Sequence, residues 1–441
     1  MQAPWGRRAR VTVIMGCMKQ GAKRLAIIGG GAAGLTAAIA AGEHARSCGC
    51  PLDIVVFERD DRVGRSILAT GNGRCNFSNH NIKFYRYHNY AFVGEAIGRI
   101  AVAPDDDMVH SFFANHGLAW REEPDGRQYP QANKASVVVD VLRASAAAAG
   151  ARESCEREVV AVEPPRDPGK PFTLRMADGV FERADAVIVA CGGKASASLS
   201  AAGLTHLPLQ PVLGPLRCAD EDIVLTRELD NIRVRCMVSL VRPHGDEDVY
   251  EAIEHGELMF RKYGVSGICV YDLSRLWQPG DSLHINFLPD FDPFEREEVE
   301  EFLQQRYAVL SSTFGGKLTY GGFLRGLLLP RVYEVLLKRK GKRPDEVCTK
   351  EGALDLACML TMFPLDVTGI ADPDQCQVRR GGFDVTCFDP HSMAAHGIDG
   401  LYACGEALDV DGPCGGYNLH WAWASGIIAG RSAAGQLCSE E

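Results

Sequence analysis

Short apolar runs closed by glycine set the pattern of the chain's first half. Leu25 to Ile28 is apolar throughout, as a strand buried on both faces of a parallel sheet must be. An alanine-rich stretch follows at once and reads as a helix. Asp53 to Phe57 and Ala186 to Ala190 repeat the strand pattern, and so does Leu401 to Cys404 near the end. After that last strand comes a loop through Asp411, Gly412, Gly415 and Gly416, then a helix rich in small residues and tryptophan from about Asn418. The middle is different. Arg233 to Leu240 and Ser282 to Leu288 alternate, which fits a small antiparallel sheet. Between 291 and 361 the period turns helical. In PFEREEVEEFLQQRYAVL, Val299, Phe302, Leu303 and Leu310 share one face opposite the charges. Pro330 starts or kinks a further helix at PRVYEVLLKRKG, and FPLDVTGI returns to strand.

Length and composition narrow the class. At 441 residues the chain exceeds what one core usually supports, so two or three domains are expected. A hydrophobic content of 46% with 24% charged residues is that of a globular protein, and no apolar run reaches the length of a membrane span. A net charge of −10 argues against a nucleic-acid surface. The sixteen cysteines are scattered, with no C-x-x-C pair, and most read as small buried hydrophobes. Cys48 and Cys50 lack the spacing and the histidine pair of a zinc site, so no metal is expected. Arg7, Arg8 and Arg10 precede an apolar run too short for a signal peptide, with Met15 and Met18 close behind. Residues 1–22 therefore read as an extension, disordered or produced by a start site placed too early, and the expected location is cytoplasmic.

The chemistry begins at Gly29, Gly31 and Gly34, in G-x-G-x-x-G spacing between the first strand and its helix. The first glycine permits the tight turn, the second the approach of a pyrophosphate, the third close helix–strand packing. Glu58 ends the next strand at the spacing of the acid that grips a ribose hydroxyl. An acid there, without a basic pair, suits an adenosine lacking a 2′-phosphate, in FAD or NAD. Cys191, Gly192 and Gly193 form a tight exit after the third strand, but no second G-x-G-x-x-G opens there, so one dinucleotide is expected. The N-terminus of the closing helix can stabilise developing negative charge, which suits a reduced flavin better than a reduced nicotinamide. Trp421 and Trp423 read as core, and Cys414 has no second cysteine nearby. TGNGRCNFSN, residues 70–79, is too polar for a core and too glycine-rich for a helix. Its glycines let backbone amides approach a pyrophosphate or ribityl chain, with Arg74 to offset charge and Asn72 and Asn76 to bond flavin or loop carbonyls. Cys75 reads there as a packed thiol.

IIGGGAAGLTAAIAAG, TGNGRCNFSN, DGRQYPQANKASVVVDVL, GELMFRKYGVSGICVYDLSR and GEALDVDGPCGGYNLHWAWASGIIAG together resemble the BaiN-like (YhiN-like) flavoproteins of the NAD(P)/FAD-dependent oxidoreductase superfamily. The resemblance implies an α/β fold: a Rossmann-like FAD-binding domain split in sequence (23–208 and 372–441), interrupted by a small antiparallel β-barrel domain (209–290), a helical subdomain (291–361) and a return strand of the barrel (362–371). It implies tightly bound FAD. The residues expected to hold it are Gly29, Gly31, Ala33, Gly34, Glu58, Arg59, Arg65, Thr70, Gly71, Asn72, Gly73, Arg74, Cys75, Asn76, Val160, Cys191, Gly192, Gly193, Gly405, Glu406, Gly415, Gly416, Asn418 and Leu419. Two departures stand out: Ser66 where relatives commonly carry Lys, and Arg261-Lys262 where many have Thr-His. Candidates for proton transfer or substrate orientation are Lys262, Tyr263, Tyr417 and His420. The implied activity is reduction of a conjugated C=C bond in an apolar 3-oxo steroid or bile-acid-like enone, hydride passing through flavin N5, with NAD(P)H as transient donor. An amine oxidase releasing hydrogen peroxide and a non-catalytic FAD-binding protein are the alternatives. A small-molecule partner is expected, and no nucleic acid.

Overall fold

The computed structural model describes residues 22–98, 107–167, 169–196, 200–201, 204–245, 247–314 and 317–439. The expectation for residues 1–22 lies, apart from Ala22, outside them. The chain forms two compact units, one running up to Gln210 and resuming at Val378, the other Pro211–Gln377.

In the first unit the four apolar runs become neighbours in one parallel sheet. Its order is Leu401–Ala403, Ala186–Val189, Lys23–Ile28, Leu52–Phe57, Arg152–Ser154. Leu25 lies beside Ala186 on one side and Ile54 on the other. The central strand is buried because helices cover it: Leu25, Ala26 and Ile27 have no exposed surface. The opening helix Ala32–Ser47 and the closing helix Tyr417–Ser439 press against each other through glycine. A Cβ on Gly426 would stand 2.4 Å from the Ala33 carbonyl oxygen, and one on Gly430 2.2 Å from that of Ala37. Two small sheets complete the unit. Ser78–Asn79, Arg127–Pro130 and Trp120–Glu122 form one, and Val159–Glu163, Phe172–Met176 and Phe181–Ala184 belong to the other.

The second unit is a closed antiparallel barrel of six strands with helices sharing its core. Its longest hairpin pairs Arg233–His244 with Glu247–Arg261. Phe363–Ile370 closes the barrel between Ser282–Asn286 and Leu216–Cys218, turning Phe363, Leu365 and Val367 inward. The helical period is realised in Arg296–Phe314, where Val299 and Leu303 are buried and Phe302 and Leu310 pack at the margin. Pro330 occupies the first turn of Pro330–Arg339, where its missing N–H costs nothing. Among the described residues no helix is long and apolar enough to cross a membrane, and no cluster of His, Cys, Asp or Glu could hold a metal ion.

Candidate cofactor site

The glycine turn is shaped by contacts that a side chain would break. Gly29 has φ +104°, its N–H donates to Phe57 O at 2.8 Å, and a Cβ there would lie 2.6 Å from Ala190 O. At Gly34 a Cβ would overlap Gly29 O, at 1.9 Å. Gly31 differs: a Cβ would meet just Ser66 Oγ, at 3.3 Å, so this face of the turn is open. The helix beginning at Ala32 has no side-chain cap, which leaves its first amides to an anion. Glu58 stands beside them, Oε2 accepting from the Gly30 N–H at 2.8 Å and Oε1 from the Asp60 N–H at 2.9 Å. Each carboxylate oxygen keeps a lone pair for a hydroxyl. Arg59 is exposed, and Arg65 is an exposed partner of Asp60 and Asp61. Val160 sits where the strand register shifts between Val159 and Ala161, a bulge that takes its backbone out of the ladder.

TGNGRCN follows on an arm fastened back to the turn by Gly64 N–H to Gly30 O, 2.8 Å. Gly71, Asn72, Gly73 and Cys75 all have φ between 55° and 81°, a left-handed run that turns successive amides. Thr70 caps it, its hydroxyl donating to Ile67 O at 2.7 Å and its carbonyl accepting from Cys75 N–H at 3.1 Å. Arg74 is held by Glu123 at 3.1 Å and Tyr129 Oη at 3.2 Å, its guanidinium 4.2 Å over the Tyr129 ring. Cys75 is fully buried, and burial pushes its thiol up to about 12. Asn76 presents a buried Oδ1 that no described group satisfies, an acceptor awaiting a donor.

Residues 77–79 join this segment to the closing helix. Trp423 Nε1–H donates to Phe77 O at 2.9 Å, Ser78 Oγ lies 2.9 Å from His420 Nδ1, and Asn79 Nδ2 donates to Gly415 O at 2.9 Å. Gly416, at φ +102°, lies so close that a Cβ would stand 2.3 Å from Ser78 O. Asn418 latches its own loop by exchanging hydrogen bonds with Gly412, both at 2.8 Å, and Leu419 packs against the core. Gly405 N–H donates to Ser425 Oγ at 2.9 Å, and a Cβ on Gly405 would come within 2.8 Å of Ala33 Cβ. Glu406 accepts from the Arg379 N–H at 3.0 Å beside Gly193. Gly192, at φ +73°, faces open space, and burial raises the Cys191 thiol to about 12.

The proton-transfer candidates divide between the units. Tyr417 is buried, its hydroxyl donating to Asn81 O at 3.0 Å, and burial raises its pKa. His420 is buried and its pKa is driven down, burial being the main cause. Lys262 is exposed and Tyr263 half-buried on a turn of the barrel, the tyrosine raised chiefly by burial. The sequence reading missed Asp107, His110, Gln128 and Asp409. Asp409 accepts from the Gly381 N–H at 2.7 Å and lies 3.2 Å from His88 Nε2; these contacts outweigh burial and hold its carboxyl below the usual range. Asp411 accepts both ends of the Arg380 guanidinium, at 2.7 and 3.0 Å. Asp409 lies in the DVDG stretch and was available to a reader of that loop. Nothing in the spacing marks Asp107 or His110.

An open glycine face, uncapped amides, a left-handed amide run and an orphaned Asn76 oxygen suit a dinucleotide lying along these segments. Comparison with known proteins agrees in class. The chain is 32% identical to the 3-dehydro-bile acid delta(4,6)-reductase of Clostridium scindens, over 93% of this chain and 99% of that one. It is 28% identical to the ribosomal RNA dihydrouridine synthase of Escherichia coli, over 90% and 95%. Among solved structures, the 3-ketosteroid delta1-dehydrogenase of Sterolibacterium denitrificans aligns over 95% of this chain and 99% of that one, at 12% identity and a TM-score of 0.41. Residues 23–432 match the family described as HI0933-like protein Rossmann domain. A match of that extent places the chain in this family, as a BaiN-like flavoprotein with a Rossmann-type FAD-binding domain.

Proposed function

We propose that this FAD-dependent oxidoreductase reduces a carbon–carbon double bond conjugated to a carbonyl, in an apolar steroid- or bile-acid-like substrate, with NAD(P)H as the electron source. The observation that carries the reading is the end-to-end match to the bile-acid reductase. A feature of the site supports an apolar substrate. Phe84, Tyr85 and Tyr90 stand 47%, 62% and 57% exposed on the segment that Tyr87 bolts to the closing helix, through its hydroxyl to Tyr417 O at 2.8 Å. Three large exposed aromatics within seven residues make a patch of the kind that meets apolar ligands.

FAD, when bound, supplies the hydride chemistry. Gly31, the first amides of Ala32–Ser47 and the 70–76 segment would take the pyrophosphate and ribityl region, and Glu58 the ribose. The N-terminus of Tyr417–Ser439 offers a positive end for charge that develops on reduction. Reduction of an enone also needs a proton at the carbon next to the carbonyl. Tyr417 and His420, the candidates on the unit that carries the FAD segments, are engaged in buried hydrogen bonds.

The ribosomal RNA relatives support a second reading, because the uracil C5=C6 bond is also conjugated to a carbonyl. Charge favours the small molecule. On the long barrel hairpin Arg233 faces Glu257, Arg235 faces Asp290, and Arg242 faces Glu251 and Asp281. The basic run at 338–343 is likewise matched by Glu228, Asp222, Asp355, Glu346 and Asp345.

An anaerobic titration separates the readings. NADH or NADPH should bleach the yellow holoprotein, and a 4-en-3-one steroid should restore the colour. Bleaching by neither nucleotide rejects the reductase. Recolouring by a uridine-containing RNA but not by the steroid favours the second reading, and rapid recolouring by air alone favours an oxidase.

A further inference from the structure

We propose that Asp107 and His110 are positioning residues for the cofactor site, acting through His420 and Ser78 on the two glycine-rich segments that flank it. The proposal rests on the FAD reading above. Asp107 caps the helix Met108–Asn115, its Oδ1 accepting from the Val109 N–H at 3.0 Å. Its Oδ2 is hydrogen-bonded to His110 Nδ1, and His110 Nε2 is hydrogen-bonded to Gln128 Oε1. Gln128 Nε2 in turn donates to Glu122 Oε2 at 3.4 Å, and His80 lies 3.7 Å from that same carboxylate. Both ring nitrogens of His110 thus face acceptors, which calls for two N–H donors and a charged ring.

His420 is the other imidazole of the cluster, its centroid 6.3 Å from that of His110. It is buried, with Nε2 3.8 Å from Asp107 Oδ1 and Nδ1 2.9 Å from Ser78 Oγ. A buried ring beside a charged neighbour stays neutral and holds a single N–H. The Asp107 carboxylate draws that proton to Nε2, so Nδ1 is left as an acceptor and the Ser78 hydroxyl must donate to it. The carboxylate thereby selects the tautomer, and the tautomer orients Ser78.

Ser78 is the midpoint of the seam between the 70–79 segment and the closing helix. On one side Phe77 O accepts from Trp423, on the other Asn79 donates to Gly415 O, and Gly416 rests on Ser78 O. A change of tautomer would turn the Ser78 hydroxyl from donor to acceptor and redirect its proton at the centre of that seam. Asp107 bonds to neither segment; the proposed route to them runs through His420, and His110 also meets the 70–79 segment edge-on at Phe77.

The test is a double-mutant cycle on the holoenzyme with Asp107→Asn, Ser78→Ala and the pair. The measurements are FAD release, the visible spectrum of the bound flavin and the melting temperature. Each single change should weaken FAD by about tenfold, the worth of one hydrogen bond, and shift the flavin band. The pair should be no worse than the more damaging single change, because both act through one ring. Losses that multiply, or a lower melting temperature with FAD affinity and spectrum unchanged, would overturn the proposal. Nitrogen-15 NMR of the histidines gives a reading that needs no variant to fold: His420 should carry its proton on Nε2 in the wild type, and a proton on Nδ1 refutes the relay. If wild-type protein binds no FAD, the FAD reading fails first, and NMR still decides the tautomer.

Discussion

Cys75 sits at φ +59° with no exposed surface, inside a segment otherwise rich in polar side chains. With its thiol raised to about 12 it carries almost no thiolate at pH 8. Iodoacetamide should leave Cys75 unlabelled in the native protein and label it after unfolding, and Cys75→Ala should keep its flavin. Labelling of the native protein at a free-thiol rate would return the residue to chemistry. The half-buried His110 and the buried His420 make a further prediction, in which the signs oppose. Burial lowers the His110 pKa, but the hydrogen bonds to Asp107 and Gln128, with the charges of Asp107 and Glu122, raise it overall. Its stabilising contribution is complete below the unfolded value of 6.5 and fades as pH climbs through the folded one. His420 is lowered, so below 6.5 the unfolded chain binds a proton that the folded protein refuses, and stability falls with pH. Melting temperature against pH should lose part of its alkaline decline in His110→Gln and part of its acid decline in His420→Gln. Unchanged slopes would show that neither ring titrates as described. Legibility at this scale followed sequence distance. Gly29, Gly31 and Gly34 could be read because turn, helix start and anion site are local. Asp107, His110 and Gln128 could not, and His420 was named without the partners it meets, because their meeting depends on elements far apart in the chain.

At the scale of elements, the opening and closing helices are the pair on which the first unit depends. Gly426 and Gly430 are one helical turn apart and each faces backbone of the opening helix with no room for a methyl group. Gly430→Ala should cost about 1–3 kcal/mol, as overpacking does, and lower the melting temperature even with FAD present. A neutral result would mean the helices can separate without loss. The helices and strands themselves were legible where period and length agreed, as in Arg296–Phe314 and the four parallel strands. Less legible was the barrel, because a three-residue strand such as Leu216–Cys218 shows no alternation to read. Val160 was named as a cofactor contact, and the bulge in the strand register where it lies is a property of pairing, invisible in one strand's sequence.

For the whole molecule, the relevant quantity is where charge is free rather than how much there is. With Arg233, Arg235 and Arg242 of the barrel hairpin and the 338–343 run facing carboxylates, a uridine-containing RNA should bind weakly, with little dependence on salt. A steep fall of log affinity with log salt would signal unpaired cations reaching phosphate and would sink the small-molecule preference. The order of the parallel sheet carries another consequence. Leu401–Ala403 lies beside Ala186–Val189, and the helix that covers Lys23–Ile28 is itself wedged against residues 417–439. While the ribosome is still making the barrel, the glycine turn at 29–34 therefore exists without its wall. The nascent chain must keep that apolar surface from aggregating until residues 401–439 are made. Cofactor capture waits for that stretch, and the flavin content of freshly made protein should report its synthesis rather than early folding.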